Sequence, residues 1–211
     1  MKTSINSFWN YFNQHSQKFI SQQPFNNECP RAILRELQDL LNQYQPNLGF
    51  RLGIKNGRGE IIITAHGNPY LFKAVDLLVL EAPAIDNWTV TAFIQPLDNL
   101  EQFKNGNDQA FIYHSVRLRI SELHYRLVAH SNPNLVSLKL FVPGGGDEAY
   151  NEYRVTAAHV LLEYLLGEKA FANEIHTVEI CCLEQAQQAG TAMFPLYMLR
   201  GHLEVYQTIL C

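Results

Sequence analysis

The fold turns on residues 49–94, "GFRLGIKNGRGEIIITAHGNPYLFKAVDLLVLEAPAIDNWTVTAFI". Phe50, Leu52 and Ile54 alternate with less apolar residues, the period of a strand with one buried face. Asn56 and Gly57 follow. A two-residue hairpin turn needs positive φ at both central positions, and this pair adopts it at low steric cost. Ile61–Ala65 then reads as the returning strand. Asn68 and Pro69 read as N-cap and first-turn proline of a helix. Leu71, Phe72, Val75, Leu78 and Val79 supply its buried face, and Pro83 ends it. Trp88, Val90 and Ala92 open a third strand. The expected unit is strand-strand-helix-strand over residues 48–95.

The same order returns downstream. After a polar loop at residues 96–109, Val116, Leu118 and Ile120 alternate with Arg117 and Arg119. "HYRLVAH" is a strand, "SNPN" a turn and "LVSLKLFV" a strand. Residues 150–166 form a helix and "HTVEICCL" a strand. Residues 110–183 thus hold a second strand-strand-helix-strand unit, a pseudo-repeat with negligible identity to the first. Ahead of both, residues 1–47 predict two amphipathic helices: Phe8, Trp9, Phe12 and Phe19 share one stripe, and Ile33, Leu37, Leu40, Leu41 and Tyr44 another. Residues 195–210 predict a closing helix weakened by Gly201. The expectation is an α+β two-layer sandwich, a single domain over residues 1–211. Its two units pair into one mostly antiparallel sheet with helices packed on it.

Bulk properties exclude several functions. The 211 residues are 47% hydrophobic and 17% charged, with net charge -4. That supports a real core and offers no basic surface for nucleic acid. "MKTSINSFWNYFNQHSQKF" lacks the apolar run of a secretory signal, and no stretch reaches the ~18 apolar residues of a membrane span. Four cysteines, Cys29, Cys181, Cys182 and Cys211, show no C-x-x-C spacing. They read as reduced thiols of a cytoplasmic protein. Spacing leaves a Cys29–Cys211 bridge open.

The glycine run "LKLFVPGGGDEAYNEY", from Leu138, invites a phosphate-loop reading. Gly144, Gly145 and Gly146 are followed by Asp147 and Glu148, carboxylates that repel phosphate and favour a helix start on their own. The lysine of a phosphate cradle is missing. The expectation is a strand-to-helix connection with no cofactor.

On the long helix, Glu152, His159 and Glu163 fall within roughly 40° of one another at ~100° per residue. A His and a Glu four apart suit a metal or a general base with its orienting partner. Glu168 is a further carboxylate, and His114, His124 and His130 are the candidate third ligands. The simpler expectation is that this polar line faces water. His66, before "GNP", reads as a cap or orienting group. Arg117, Arg119 and Arg126 with Tyr113 and Tyr125 offer a weak single-strand nucleic-acid face, opposed by the net charge and by Glu122. No G-x-S-x-G elbow is present. Phe8, Trp9, Tyr11 and Phe12 exceed what one thin stripe buries. They dock on the protein's own sheet, or form a contact with a protein partner or a second copy.

"SFWNYFNQHSQKF", "EIIITAHGNPYLFKAVDLLVLEAPAIDNWTVTAFIQP" and "HVLLEYLLGEKAFANEIHTVEI" occur in this order. Together they resemble a family of uncharacterised soluble bacterial proteins, over residues from about Phe8 to about Leu183. The resemblance implies one integrated domain. It assigns no activity, cofactor or catalytic residue. The expected function is a non-enzymatic binding or interaction module in the cytoplasm. The alternative is a small metal-assisted hydrolase built on His159 and Glu163 with Glu152 or Glu168.

Overall fold

The computed structural model describes residues 2–21, 28–132, 134–144 and 152–210. The fold is α+β, and the chain divides into two units, Met1–Ile94 and Gln95–Cys211.

The first unit runs α1 (Lys2–Ser21), α2 (Glu28–Tyr44), β1 (Gly49–Lys55), β2 (Arg58–Thr64), a 3-10 turn at Pro69–Leu71, α3 (Phe72–Leu80) and β3 (Trp88–Ala92). β1 and β2 are an antiparallel hairpin with Leu52 opposite Ile61. Its turn has φ of 54° at Asn56 and 74° at Gly57, as the sequence predicts. Asn68 caps the 3-10 turn by accepting from the Tyr70 N–H at 3.1 Å. α3 is the crossover that returns β3 parallel to β2, with Gly59 opposite Trp88. Ile61 and Ile63 of β2 are fully buried in one cluster with Phe8 and Phe12 of α1 and Leu37 and Leu41 of α2. The Trp9 indole N–H donates to the Leu78 carbonyl at 2.9 Å. Trp88 lies edge-on to Phe12 at 4.9 Å between ring centroids. Gly59 makes room for Trp88: a Cβ there would lie 2.5 Å from a ring carbon.

The second unit runs α4 (Glu101–Lys104), β4 (Phe111–Tyr113), β5 (Val116–Leu118), a 3-10 turn at Ile120–Glu122, β6 (His124–Ala129) and β7 (Val136–Val142). It continues with α5 (Glu152–Leu166), α6 (Glu168–Glu174), β8 (Ile175–Cys182), α7 (Leu183–Gln188), β9 (Phe194–Pro195), a 3-10 turn at Leu196–Met198 and α8 (Leu199–Leu210). β6 and β7 are antiparallel, and β8 returns parallel to β7. This is the arrangement of β1, β2 and β3, so the repeated hairpin-plus-crossover order is a property of the fold. The second copy adds β9 on the free edge of β6. Its core gathers Leu138 and Leu140 of β7 with Leu161, Leu162 and Leu165 of α5.

The expected single sheet is not what forms. Among the described residues the strands make a three-stranded sheet β1-β2-β3, a two-stranded sheet β4-β5 and a four-stranded sheet β8-β7-β6-β9. Hairpins and crossovers satisfy each strand set from its own sequence neighbours, except for β9, which joins β6 from far downstream. Parallel pairing is as prominent as antiparallel in each repeat. The alternating strand expected through Ile120 stops at Leu118, and Ile120 enters a 3-10 turn instead. Among the described residues no helix is long and apolar enough to cross a membrane.

Candidate functional site

The second unit carries a cleft of about 510 Å3. It is built from the polar segment after Pro96, which folds against α5. The Leu97 N–H donates to the Tyr164 carbonyl at 3.1 Å, and the Phe103 and Lys104 N–H groups return to the Leu100 carbonyl. That single turn, α4, buries Phe103. The Asn107 N–H closes the segment on the Gln102 carbonyl at 2.9 Å. β4 and β5 pack along α5 and set Phe111 and Leu118 beside Leu161. The wall is therefore largely apolar, with Gln102, Asn107 and Gln109 adding polar groups.

Asp108 stands in this wall and is 5% exposed. Its Oδ2 accepts from the Ser121 N–H at 3.3 Å, whereas Oδ1 is buried with no hydrogen-bond partner. A buried acceptor left unmet costs about 1–3 kcal/mol, more when charged. Native proteins keep few such groups, and each calls for a cause.

A second cleft, of about 450 Å3, lies in the first unit between Gln38, Asn42, Asn47, His66 and Asn68. It is polar, and its carboxamides are partly engaged: Gln38 donates to the Leu48 carbonyl at 2.9 Å and to Asn42 at 3.2 Å. His66 has φ of 52° and its imidazole edge lies against Gly49, where a Cβ would lie 2.3 Å from its Nε2. The expected capping or orienting histidine is thus a residue wedged against backbone.

The polar line on α5 does not run along a wet face. Glu152 is exposed, His159 half-buried and Glu163 buried. Glu168, at the start of α6, is fully buried. The water-facing expectation fails because α5 is apolar around most of its circumference, with Ala157, Ala158, Leu161, Leu162, Leu165 and Leu166 all buried. Glu163 and Glu168 each have interactions of their own. The His159 Nδ1–H donates to the Val155 carbonyl at 2.8 Å, an intrahelical bond. None of these four residues lines the 510 Å3 cleft, to which α5 contributes Leu161 and Tyr164.

Of the candidate third ligands, His114 and His130 pack against other rings. His114 packs on Tyr153 at 4.7 Å, and His130 lies against His176 at 4.2 Å with the rings tilted by 44°. His124 is half-buried, with no partner at Nδ1. Among the described residues no three His, Cys, Asp or Glu side chains converge as a metal site.

Phe8, Trp9 and Phe12 are at most 2% exposed, so they belong to the core of the first unit; Tyr11 is half-buried. α1 docks on its own sheet because its aromatic stripe fits Trp88 and the β2 isoleucines. Tyr125, read as part of a cationic surface, is buried and hydrogen-bonded to His202. Its burial pushes its pKa well above the ordinary tyrosine range. Arg119 pairs with Glu122 at 3.7 Å.

The glycine run is described only at its first residue; Gly145, Gly146, Asp147 and Glu148 lie outside the described residues. The Gly144 N–H donates to the Glu184 carboxylate at 2.9 Å, and Arg154 donates to the Pro143 carbonyl at 3.1 Å. That N–H, then the N–H of Glu184 itself and the Cys182 thiol, hold Glu184 below the usual carboxylate range. A protein carboxylate therefore occupies the described amide of the loop. Cys181 and Cys182 are free thiols. The side chains of Cys29 and Cys211 lie outside the described residues.

Sequence reasoning passed over Asp108 and Phe111 because the segment before β4 reads only as polar. The available signal was an aspartate inside an amide-rich stretch, Asn105 to Gln109, leading directly into an aromatic strand. No family model matches the chain, and neither a curated protein nor a solved structure matches it.

Proposed function

We propose that the protein is a non-enzymatic binding module and that the cleft of the second unit is its ligand site. One observation carries the reading: an apolar-walled cleft of about 510 Å3 that includes the buried, half-partnered carboxylate of Asp108. Ordinary small-ligand sites are of this size, mostly apolar, with a few polar groups that fix orientation. The lining holds no Ser, Cys, His or Lys. Its ionisable groups are Asp108 and Tyr164, so the Ser–His and Cys–His pairings of covalent catalysis are not formed among the lining residues, which supports binding over turnover. The metal-assisted alternative has no comparable support, since His159, Glu152, Glu163 and Glu168 stand off the cleft. Cytoplasmic residence without a nucleic-acid partner belongs to the same proposal. It is supported by free Cys181 and Cys182 and by the net charge of -4.

Thermal unfolding of the full chain against divalent metals, nucleotides and common metabolites tests the proposal. A ligand at about 100 times its Kd stabilises by about 2.7 kcal/mol. Ala110→Trp fills the cleft from a half-buried lining position. The expected result is that it abolishes the shift and leaves the ligand-free midpoint nearly unchanged. A shift that survives Ala110→Trp at full size would place the ligand elsewhere and overturn the cleft as the site.

A further inference from the structure

We infer that the cleft selects an organic cation: an apolar body, aromatic or aliphatic, carrying one primary or secondary ammonium group. This inference rests on the cleft being the ligand site, as proposed above.

Three observations converge. First, Asp108 stands in the cleft wall with one buried acceptor, Oδ1, that the protein itself leaves unmet, since only Oδ2 has a donor, the Ser121 N–H; a ligand head group has to enter the wall to reach it. A carboxylate accepts and cannot donate, so the complementary ligand group must carry a proton. Charged donors make the stronger and shorter bond to it. Second, the cleft contains no compensating cation, because no Lys, Arg or His lines it. A ligand carboxylate or phosphate would meet Asp108 as a like charge, whereas an ammonium would neutralise it. Third, Phe103, Phe111 and Tyr164 line the same cleft, with the Phe111 and Tyr164 rings 6.5 Å apart at 53°. Aromatic faces attract a desolvated cation and accommodate an apolar body equally well. Gln102, Asn107 and Gln109 add carboxamide groups that serve as donor or acceptor and discriminate little by charge. A quaternary ammonium satisfies the aromatic rings and leaves Oδ1 without a hydrogen bond. This is why the inference specifies a primary or secondary amine.

The test is calorimetric titration of the 211-residue chain at neutral pH with 2-phenylethylamine, 2-phenylethanol and 3-phenylpropanoate. The three probes share a phenyl body and differ in the charge of the head group. The amine is expected to bind at least tenfold more tightly than the alcohol, and the carboxylate most weakly. Asp108→Asn keeps an acceptor for the Ser121 N–H and removes the charge. It is expected to bring amine and alcohol within about threefold of each other, because the charge-assisted bond is gone. Alcohol or carboxylate binding as tight as the amine, or an amine preference that persists in Asp108→Asn, overturns the cation inference and leaves the cleft as a binding site. Should that variant not fold, the ranking of the three probes on the unaltered protein decides by itself. If none of the three binds and none perturbs backbone amide resonances of Phe103, Phe111 or Leu118, the cation inference and the cleft reading fall together.

Discussion

Trp9 shows how a single residue settles between two readings. Its stripe of aromatic neighbours suits either a partner surface or the core. The structure buries it at 2% exposure, with its indole N–H on the Leu78 carbonyl. A buried aromatic with a satisfied polar tip contributes through area and through that bond. Trp9→Phe keeps most of the area and removes the donor, leaving a buried carbonyl less satisfied. It is expected to lower stability by about 1–2 kcal/mol, and Trp9→Ala by about 3–5 kcal/mol. Urea unfolding checks both, and equal midpoints for Trp9→Ala and the parent would mean that α1 is not part of the core. Asp108 is the opposite case. Its amide-rich surroundings in the sequence are a weak mark, because its buried environment comes from Ser121, Phe103 and α5, which lie 13, 5 and more than 40 residues away. Local patterns identify residues that serve their own element. They do not identify a residue whose surroundings come from several elements.

At the scale of elements, the hairpin turn, the Asn68 cap and both strand-helix-strand crossovers were legible because each is specified by neighbouring residues. β9, α6 and α7 were not: two to seven residues carry too few periods to show a pattern. The pairing of β2 with β3 depends on a further device. Gly59 sits opposite Trp88, and the indole covers the place where a side chain would stand. Gly59→Ala drives a methyl into the ring and is expected to cost about 1–3 kcal/mol, since an overpacked site must shift. Amide exchange should accelerate in β3 first, as the element held by that contact. Unchanged protection at Thr89 and Thr91 would show that Trp88 relocates freely. The α5 polar line carries the complementary lesson. Seven-and-four spacing places Glu152, His159 and Glu163 on one side of a helix, but it does not say whether that side meets water.

At the scale of the molecule, periodicity and turn signals made the α+β class legible, but they did not show that the strands would settle into separate sheets. Whether two strand sets merge is decided by edge contacts between residues far apart in sequence, which leave no periodic trace. A property of the whole chain does follow from its buried phenols. Burial raises Tyr44 and Tyr125 above their ordinary value of 10.0, Tyr125 most. The Tyr44 hydroxyl also donates to the Ala74 carbonyl at 2.9 Å, a bond that needs its proton. The unfolded chain ionises these groups first. Their contribution is therefore complete below pH ~10 and is lost as pH rises through the higher folded values. The urea midpoint is expected to hold between pH ~7 and ~9 and to fall by pH ~11. Tyr125→Phe is expected to shallow that fall, and an equally steep decline in the variant would remove Tyr125 as a cause.

The contact between Gly49 and His66 constrains the routes by which this sequence can change. The imidazole lies where any side chain at position 49 would begin. Alanine at position 49 is therefore penalised while His66 remains and is tolerated once His66 has been replaced by a smaller residue. The two positions are therefore coupled: a side chain at position 49 requires the His66 imidazole to swing aside or to be replaced. Among descendants of this chain, a side chain at position 49 would accordingly be found where the histidine had turned away or gone.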